Sequence, residues 1–260
     1  MLIGLVVASL IACSRTLDHD PPIRVAAAAD LMFAFEALVA EHGESLGAPV
    51  AFSFGSSGLL AQQIERGAPY DVYASANVRF VDQVIAAGAC DGATKLVYGR
   101  GRLAAWTRAG SVKPPATLAE LDDPRFSRIA IANPEHAPYG QAAREALEHA
   151  GLWDALAPRL VYGENIRQAQ QYAQTGNVEL ALVALALVID DGDNPWSLIA
   201  ERRHEPIDQA LVVCARGKGP DGGQAFAALV ASKRGREVMR RFGFARPGET
   251  DAPSLTRHEL

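Results

Sequence analysis

Beyond its first twenty or so residues, the chain alternates short apolar runs with stretches whose apolar residues recur three and four apart. Ile23-Arg24-Val25-Ala26-Ala27-Ala28-Ala29 reads as a buried strand. Leu31, Ala34, Phe35, Leu38 and Val39 then fall at helical spacing, with Gly43 as a stop signal. Val50, Phe52 and Phe54 alternate with small or polar residues and predict a second strand. A helix from about Leu59 to Gly67, a strand over Tyr70 to Ser75 and a helix carrying Phe80, Val84 and Ile85 follow. Strands are predicted at Leu103 to Trp106, Ile129 to Ala132, Arg159 to Tyr162, Glu179 to Leu185 and Leu211 to Cys214, with two helices closing the chain. Strand and helix in alternation define an α/β fold.

Where strands give way to helices, the residues are small and polar. Phe54-Gly55-Ser56-Ser57-Gly58 brackets two serines with glycines at a helix start, and Asp30 stands at the preceding junction. A third junction is Asn133-Pro134-Glu135-His136-Ala137-Pro138-Tyr139-Gly140, and a fourth is Gly163-Glu164-Asn165 before a helix at Ile166. Exposed N–H groups at helix starts favour anions, and clefts at the carboxyl ends of strands are where open α/β sheets bind ligands. For an isolated serine pair, simple helix capping is the plainer reading.

Composition narrows the classes. At 260 residues the chain is long enough for one large α/β domain or two lobes, and 25 Lys plus Arg against 30 Asp plus Glu give a net charge of −5. That balance does not suggest a nucleic-acid surface. Leu2 to Ala12 is apolar, too short for a comfortable membrane span, and ends at Cys13. The run reads as an export signal, although no Lys or Arg precedes it. Leu10-Ile11-Ala12-Cys13 resembles the lipobox of bacterial lipoproteins, which would make Cys13 the lipid-bearing residue. Cys90 and Cys214 could pair in an exported protein, but 124 residues of separation say nothing of their distance, and two buried free thiols are expected. No Cys-x-x-Cys or His-x-x-x-His spacing supports a metal site.

Catalytic motifs are weak. Gly55-Ser56-Ser57-Gly58 lacks the Gly-x-Ser-x-Gly spacing of a nucleophile elbow, and no Gly-Lys-Ser or Gly-Lys-Thr follows a glycine-rich loop. An exported hydrolase using Ser57 remains a rival, as does a ligand-sensing module docked to a membrane receptor. Neither is preferred over non-catalytic anion binding.

Four ordered stretches carry a resemblance: Ala26-Ala27-Ala28-Ala29-Asp30-Leu31, Phe54 to Gly58, Gln62-Gln63-Ile64-Glu65-Arg66-Gly67-Ala68-Pro69-Tyr70-Asp71, and Asn133 to Gly140. Together with the ending Arg241-Phe242-Gly243-Phe244, they resemble the periplasmic molybdate-binding proteins of ABC importers. The resemblance implies an α/β, two-lobed type II periplasmic binding protein with a ligand cleft between the lobes. Residues 23–101 plus 212–246 would form lobe one and 102–211 lobe two, with 1–22 as signal and tether and 247–260 as a loosely ordered tail. It further implies a monomer that captures molybdate or tungstate, without cofactor or catalytic residue, for an ABC permease. The protein would be periplasmic or otherwise extracytoplasmic, held to the membrane by lipid at Cys13.

Carried over by position, the oxyanion site would comprise Asp30, Ser56, Ser57, Tyr139, the backbone of Ile166, and Ala184, with no direct cation site. Two positions depart from the family. Ala184 stands where many members have tyrosine, a loss that Tyr139, reaching from its loop, could offset. Asp30 stands where serine is frequent, and an ionised carboxylate about 4 Å from one negative charge is opposed by roughly 4 kcal/mol at an effective dielectric near 20. The preferred expectation is therefore that Asp30 caps its own helix and offers only its N–H, because aspartate is a strong N-cap. Otherwise it is protonated and donates, or the ligand is another small anion or polar solute.

Overall fold

The computed structural model describes residues 21–214, 220–246 and 249, so Cys13 and nearly all of the 247–260 segment lie outside the described residues. The chain begins with β1 (Ile23–Ala28), a 3-10 turn at Ala29–Leu31, α1 (Met32–His42), β2 (Val50–Gly55), α2 (Ser57–Glu65), β3 (Val72–Ser75), α3 (Val78–Ala86) and β4 (Cys90–Gly101). It then crosses to a second body comprising β5 (Leu103–Trp106), β6 (Ile129–Ala132), α4 (Pro138–His149), α5 (Trp153–Leu156), β7 (Leu160–Gly163), α6 (Ile166–Gln174), β8 (Leu180–Ala184) and β9 (Trp196–Leu198). It returns through β10 (Ile207–Cys214) and finishes with α7 (Pro220–Ala231) and α8 (Lys233–Arg241).

Each body is built on a five-stranded sheet, ordered β2-β1-β3-β10-β4 in the first and β7-β6-β8-β5-β9 in the second. In both, three parallel strands are followed by an antiparallel one that has just arrived from the other body, β10 and β5 respectively. The parallel strands β1, β6 and β8 are almost continuously apolar because helices cover both of their faces. Asn77, Asn165 and Ser232 cap α3, α6 and α8, and Pro138 opens α4 at the position where its missing N–H costs nothing. Phe35, Phe52 and Phe226 pack edge to face or tilted with centroids 5.3 to 6.1 Å apart and fasten α7 onto the first sheet. Buried apolar residues of the two bodies meet through Ala29, Leu31, Tyr139 and Leu185 to Leu187.

Three expectations change. β10 begins at Ile207, opposite Gly101, so residues 207–211 belong to the first sheet and a boundary at 212 would cut a strand. The apolar run Leu211 to Cys214 marks its second half, whereas Asp208 and Gln209 disguise the first. Cys90 and Cys214 are not free thiols: they form a disulfide at the far end of the β4–β10 ladder, where the register sets them opposite each other. β4 and β9 carry no clear pattern and went unpredicted. β4 is largely exposed over residues 91–97, and its pairing with β10 is bulged twice.

Candidate functional site

The site lies where the first turns of helices meet between the two sheets. β1 and β2 run side by side to Ala28 and Gly55, so Asp30 and Ser57 emerge from adjacent strand ends. The turn at Ala29–Leu31 also packs against α6 and the 3-10 turn at Leu185–Leu187. α4 arrives through Tyr139, whose hydroxyl reaches Asp30.

Ser57 is buried as the first residue of α2. Its Oγ accepts from the Ala76 N–H at 3.1 Å and its carbonyl accepts from the Tyr73 hydroxyl at 2.7 Å. With a lone pair engaged by Ala76, the Ser57 hydroxyl proton is left to donate elsewhere. Ile166 supplies a second donor. Asn165 Oδ1 caps the N–H groups of Arg167 and Gln168, not that of Ile166, and a helix's first N–H has no intrahelical acceptor.

Ser56 occupies the N-cap position of α2, yet its side chain does not cap. Its Oγ donates to the His136 carbonyl at 2.6 Å and lies 2.9 Å from His136 Nδ1. Since one hydroxyl carries one proton, Nδ1 is then the protonated ring nitrogen and donates to Oγ. The pair fastens the lobes together, as does the bond from Gly58 N–H to the same carbonyl at 2.9 Å. A serine whose proton goes to a carbonyl is not activated by its histidine as a nucleophile would be.

Asp30 does not cap its helix, in contrast to the preferred expectation. It sits inside the 3-10 turn, with Ala28 at the capping position, and its carboxyl group points toward the other lobe. Oδ2 accepts from the Tyr139 hydroxyl at 3.0 Å and from Gln209 Nε2 at 2.5 Å. Oδ1 is buried without a partner. Gln209, on β10, is fully buried, approaches the Tyr139 hydroxyl at 3.2 Å, and accepts from the Tyr98 hydroxyl at 2.9 Å through Oε1. Burial pushes the Asp30 carboxyl up to about 6, against the opposing pull of the Gln209 and Tyr139 hydrogen bonds. Burial also holds the Tyr98 and Tyr139 phenols well above their usual range, with the Asp30 charge adding to both.

Gln209 is hidden in the sequence because it interrupts an apolar run. The one local hint is Gly101, across the ladder from the start of β10. A Cβ there would collide with the Tyr139 hydroxyl and lie 2.8 Å from Gln209 Nε2. Tyr139 stands in the first turn of α4 rather than in a loop, and Ala184 is a fully buried methyl paired with Leu103. The chain's crossing residue Arg102 braces this region, its Nε donating to the Gly243 carbonyl at 3.0 Å and its own carbonyl accepting from Leu185 N–H at 2.8 Å. Among the described residues no cluster of histidine, cysteine or carboxylate side chains could hold a metal ion, and no helix is long and apolar enough to cross a membrane.

Residues 23–245 match the model of the bacterial extracellular solute-binding protein family. The chain is 31% identical over 242 residues to a molybdate-binding protein, ModA, of Azotobacter vinelandii, spanning 91% of this chain and 94% of that one. It is 30% identical over 203 residues to the molybdate-binding protein ModA of Rhodobacter capsulatus, spanning 77% and 79%. The solved structure of the Azotobacter vinelandii periplasmic molybdate-binding protein superposes with a TM-score of 0.81 at 28% identity, over 86% of this chain and 99% of that one. Two sheets joined by two chain crossings, helix starts gathered between them and a family match across nearly all the described residues agree, and the chain belongs to the bacterial extracellular solute-binding proteins.

Proposed function

We propose that this protein binds molybdate or tungstate outside the cytoplasm and delivers it to an ABC importer, without catalytic turnover. The observation that carries the reading is the turn at Ala29–Leu31, which packs against β2, the strand leading to Ser57 with its uncommitted hydroxyl proton, and against α6 of the other lobe, whose capped start is Ile166. Hydroxyl and backbone donors at helix starts hold an oxyanion without a cation, and similarity to named molybdate-binding proteins over most of the chain selects the ligand class. Closure of the lobes on the ligand would be the signal that the permease reads.

The Cys90–Cys214 disulfide fits an oxidising compartment. Attachment to the membrane through lipid on Cys13 and a monomeric state complete the proposal. Calorimetry and thermal stabilisation with molybdate, tungstate, sulfate, phosphate and small carboxylates test it: binding of the first two supports it, and no heat and no stabilisation with either would overturn it. A second reading, in which the same cleft takes another small anion or polar solute, rests on the unpartnered Asp30 Oδ1. Preference for a different member of the panel would favour it.

A further inference from the structure

We infer that the site binds its oxyanion together with one proton, held between Asp30 Oδ1 and the ligand. The inference rests on the oxyanion reading above and adds to it the chemistry by which a carboxyl group can line an anion site. Oδ2 already accepts from two donors, Tyr139 and Gln209, so a proton joining this carboxyl group goes to Oδ1, the oxygen that has no partner. A protonated Oδ1 becomes a donor in the turn that packs against α6 and leaves β1 beside the strand leading to Ser57. An ionised one would be a buried negative charge facing a dianion. The same oxygen would pair equally with a hydrogen-bearing oxyanion, so the complex holds one extra proton whichever partner brought it.

No charge nearby relieves Asp30 otherwise. The titratable groups on the surrounding elements include the phenols of Tyr98 on β4 and Tyr139 on α4, His136 before α4, Arg102 at the crossing, Arg167 on α6, Glu36 and Glu41 on α1, and Arg100 on β4, which pairs with Asp208 of β10. His136 engages Ser56, Arg102 donates to Gly243, and Arg167 lies over the Phe33 ring at 5.2 Å with its Nη1 buried and unpartnered. Among the described residues none forms an ion pair with Asp30. With the lobes together, burial already raises this carboxyl group to about 6, and a bound anion raises it further. Above that value the empty site must take up a proton in order to bind.

The test is calorimetric titration with molybdate between about pH 6.5 and 9, in pairs of buffers with different ionisation heats. Expected is uptake approaching one proton per molybdate near pH 8 and an affinity that falls roughly tenfold per pH unit. Asp30→Asn keeps an acceptor for Tyr139 and Gln209 and puts an amide donor where Oδ1 stands. It should bind with no proton uptake, show no pH slope, and exceed the parent about 100-fold near pH 8. Molybdate binding by the parent with neither uptake nor pH slope would overturn the inference while leaving the oxyanion reading intact, and this measurement needs no variant. Absence of heat in parent and variant at every pH would overturn both.

Discussion

Gly58 offers a direct way to ask whether binding requires the lobes to meet as they do here. Its N–H donates across the boundary to the His136 carbonyl at 2.9 Å. A Cβ on Gly58 would lie 2.8 Å from that oxygen, 3.0 Å from His136 Cβ and 3.0 Å from Phe80 Cζ. The Phe80 ring can tilt, but the His136 backbone can retreat only by carrying its lobe with it. Gly58→Ala therefore adds an overpacking cost of about 1–3 kcal/mol and weakens a hydrogen bond contributing about 1 kcal/mol. Most of that penalty falls on the closed arrangement, since separated lobes do not make the contact. Where only closed lobes hold the ligand, apparent affinity drops with the closed population, so about 2–4 kcal/mol becomes a loss of roughly 30- to 700-fold. Calorimetry with molybdate and tungstate reads this loss, with circular dichroism to verify that the variant is folded. An affinity within about threefold of the parent would refute the argument that this contact belongs to the binding-competent form.

Three further outcomes follow from the same geometry. Ser57→Ala removes a hydroxyl donor from the oxyanion and should weaken molybdate binding by about 1.5–3 kcal/mol, roughly 10- to 150-fold by calorimetry, while also leaving the buried Ala76 N–H without its acceptor. Reducing the Cys90–Cys214 disulfide, which spans 124 residues, should lower stability in urea by about 5 kcal/mol on the chain-entropy model, with ligand affinity unchanged because Gly101 and the site lie at the opposite end of β4. With the lobes together, the Asp30 carboxyl group rises from 3.8 to about 6 on folding, so the native state holds more protons across that window and stability falls as pH rises through it. The resulting penalty, about 3 kcal/mol, is fully present above pH 6 and absent from Asp30→Asn, and urea unfolding of both proteins near pH 4 and pH 7.5 measures it.

How far the sequence reveals this site depends on the range of the interactions involved. Strands such as Ile129 to Ala132 and helix starts such as Ile166 are written in local periodicity and capping residues, and the structure has them where the pattern predicts. The direction of the Asp30 side chain is not local. Its partners lie 109 and 179 positions away, on elements brought beside it by two crossings between sheets. The capping propensity of aspartate is a modest preference, and here two buried hydrogen bonds outweigh it. Gln209 was hidden for a related reason: a polar residue in the middle of a strand looks like a break until the groups opposite it are known. The disulfide likewise depends on a ladder between strands that have no local sequence relation.

The insertion of the whole second sheet between β4 and β10 decides the order in which the molecule is assembled. β3 and β4 do not pair with each other; β10, more than a hundred residues later, fills the slot between them. As the chain emerges from its N-terminus, β4 waits without a neighbour while the whole second sheet is laid down, and β10 completes the first one last. The second sheet is built from one unbroken stretch, β5 to β9, but the first cannot be finished without β10, and cutting the chain at either crossing separates β10 from β1 to β4. Long-range closure of this kind is slow and exposes unpaired strand edges in the interim. The bond between Cys90 and Cys214 joins β4 to the strand that completes the sheet, so the oxidation that seals it also marks the end of assembly.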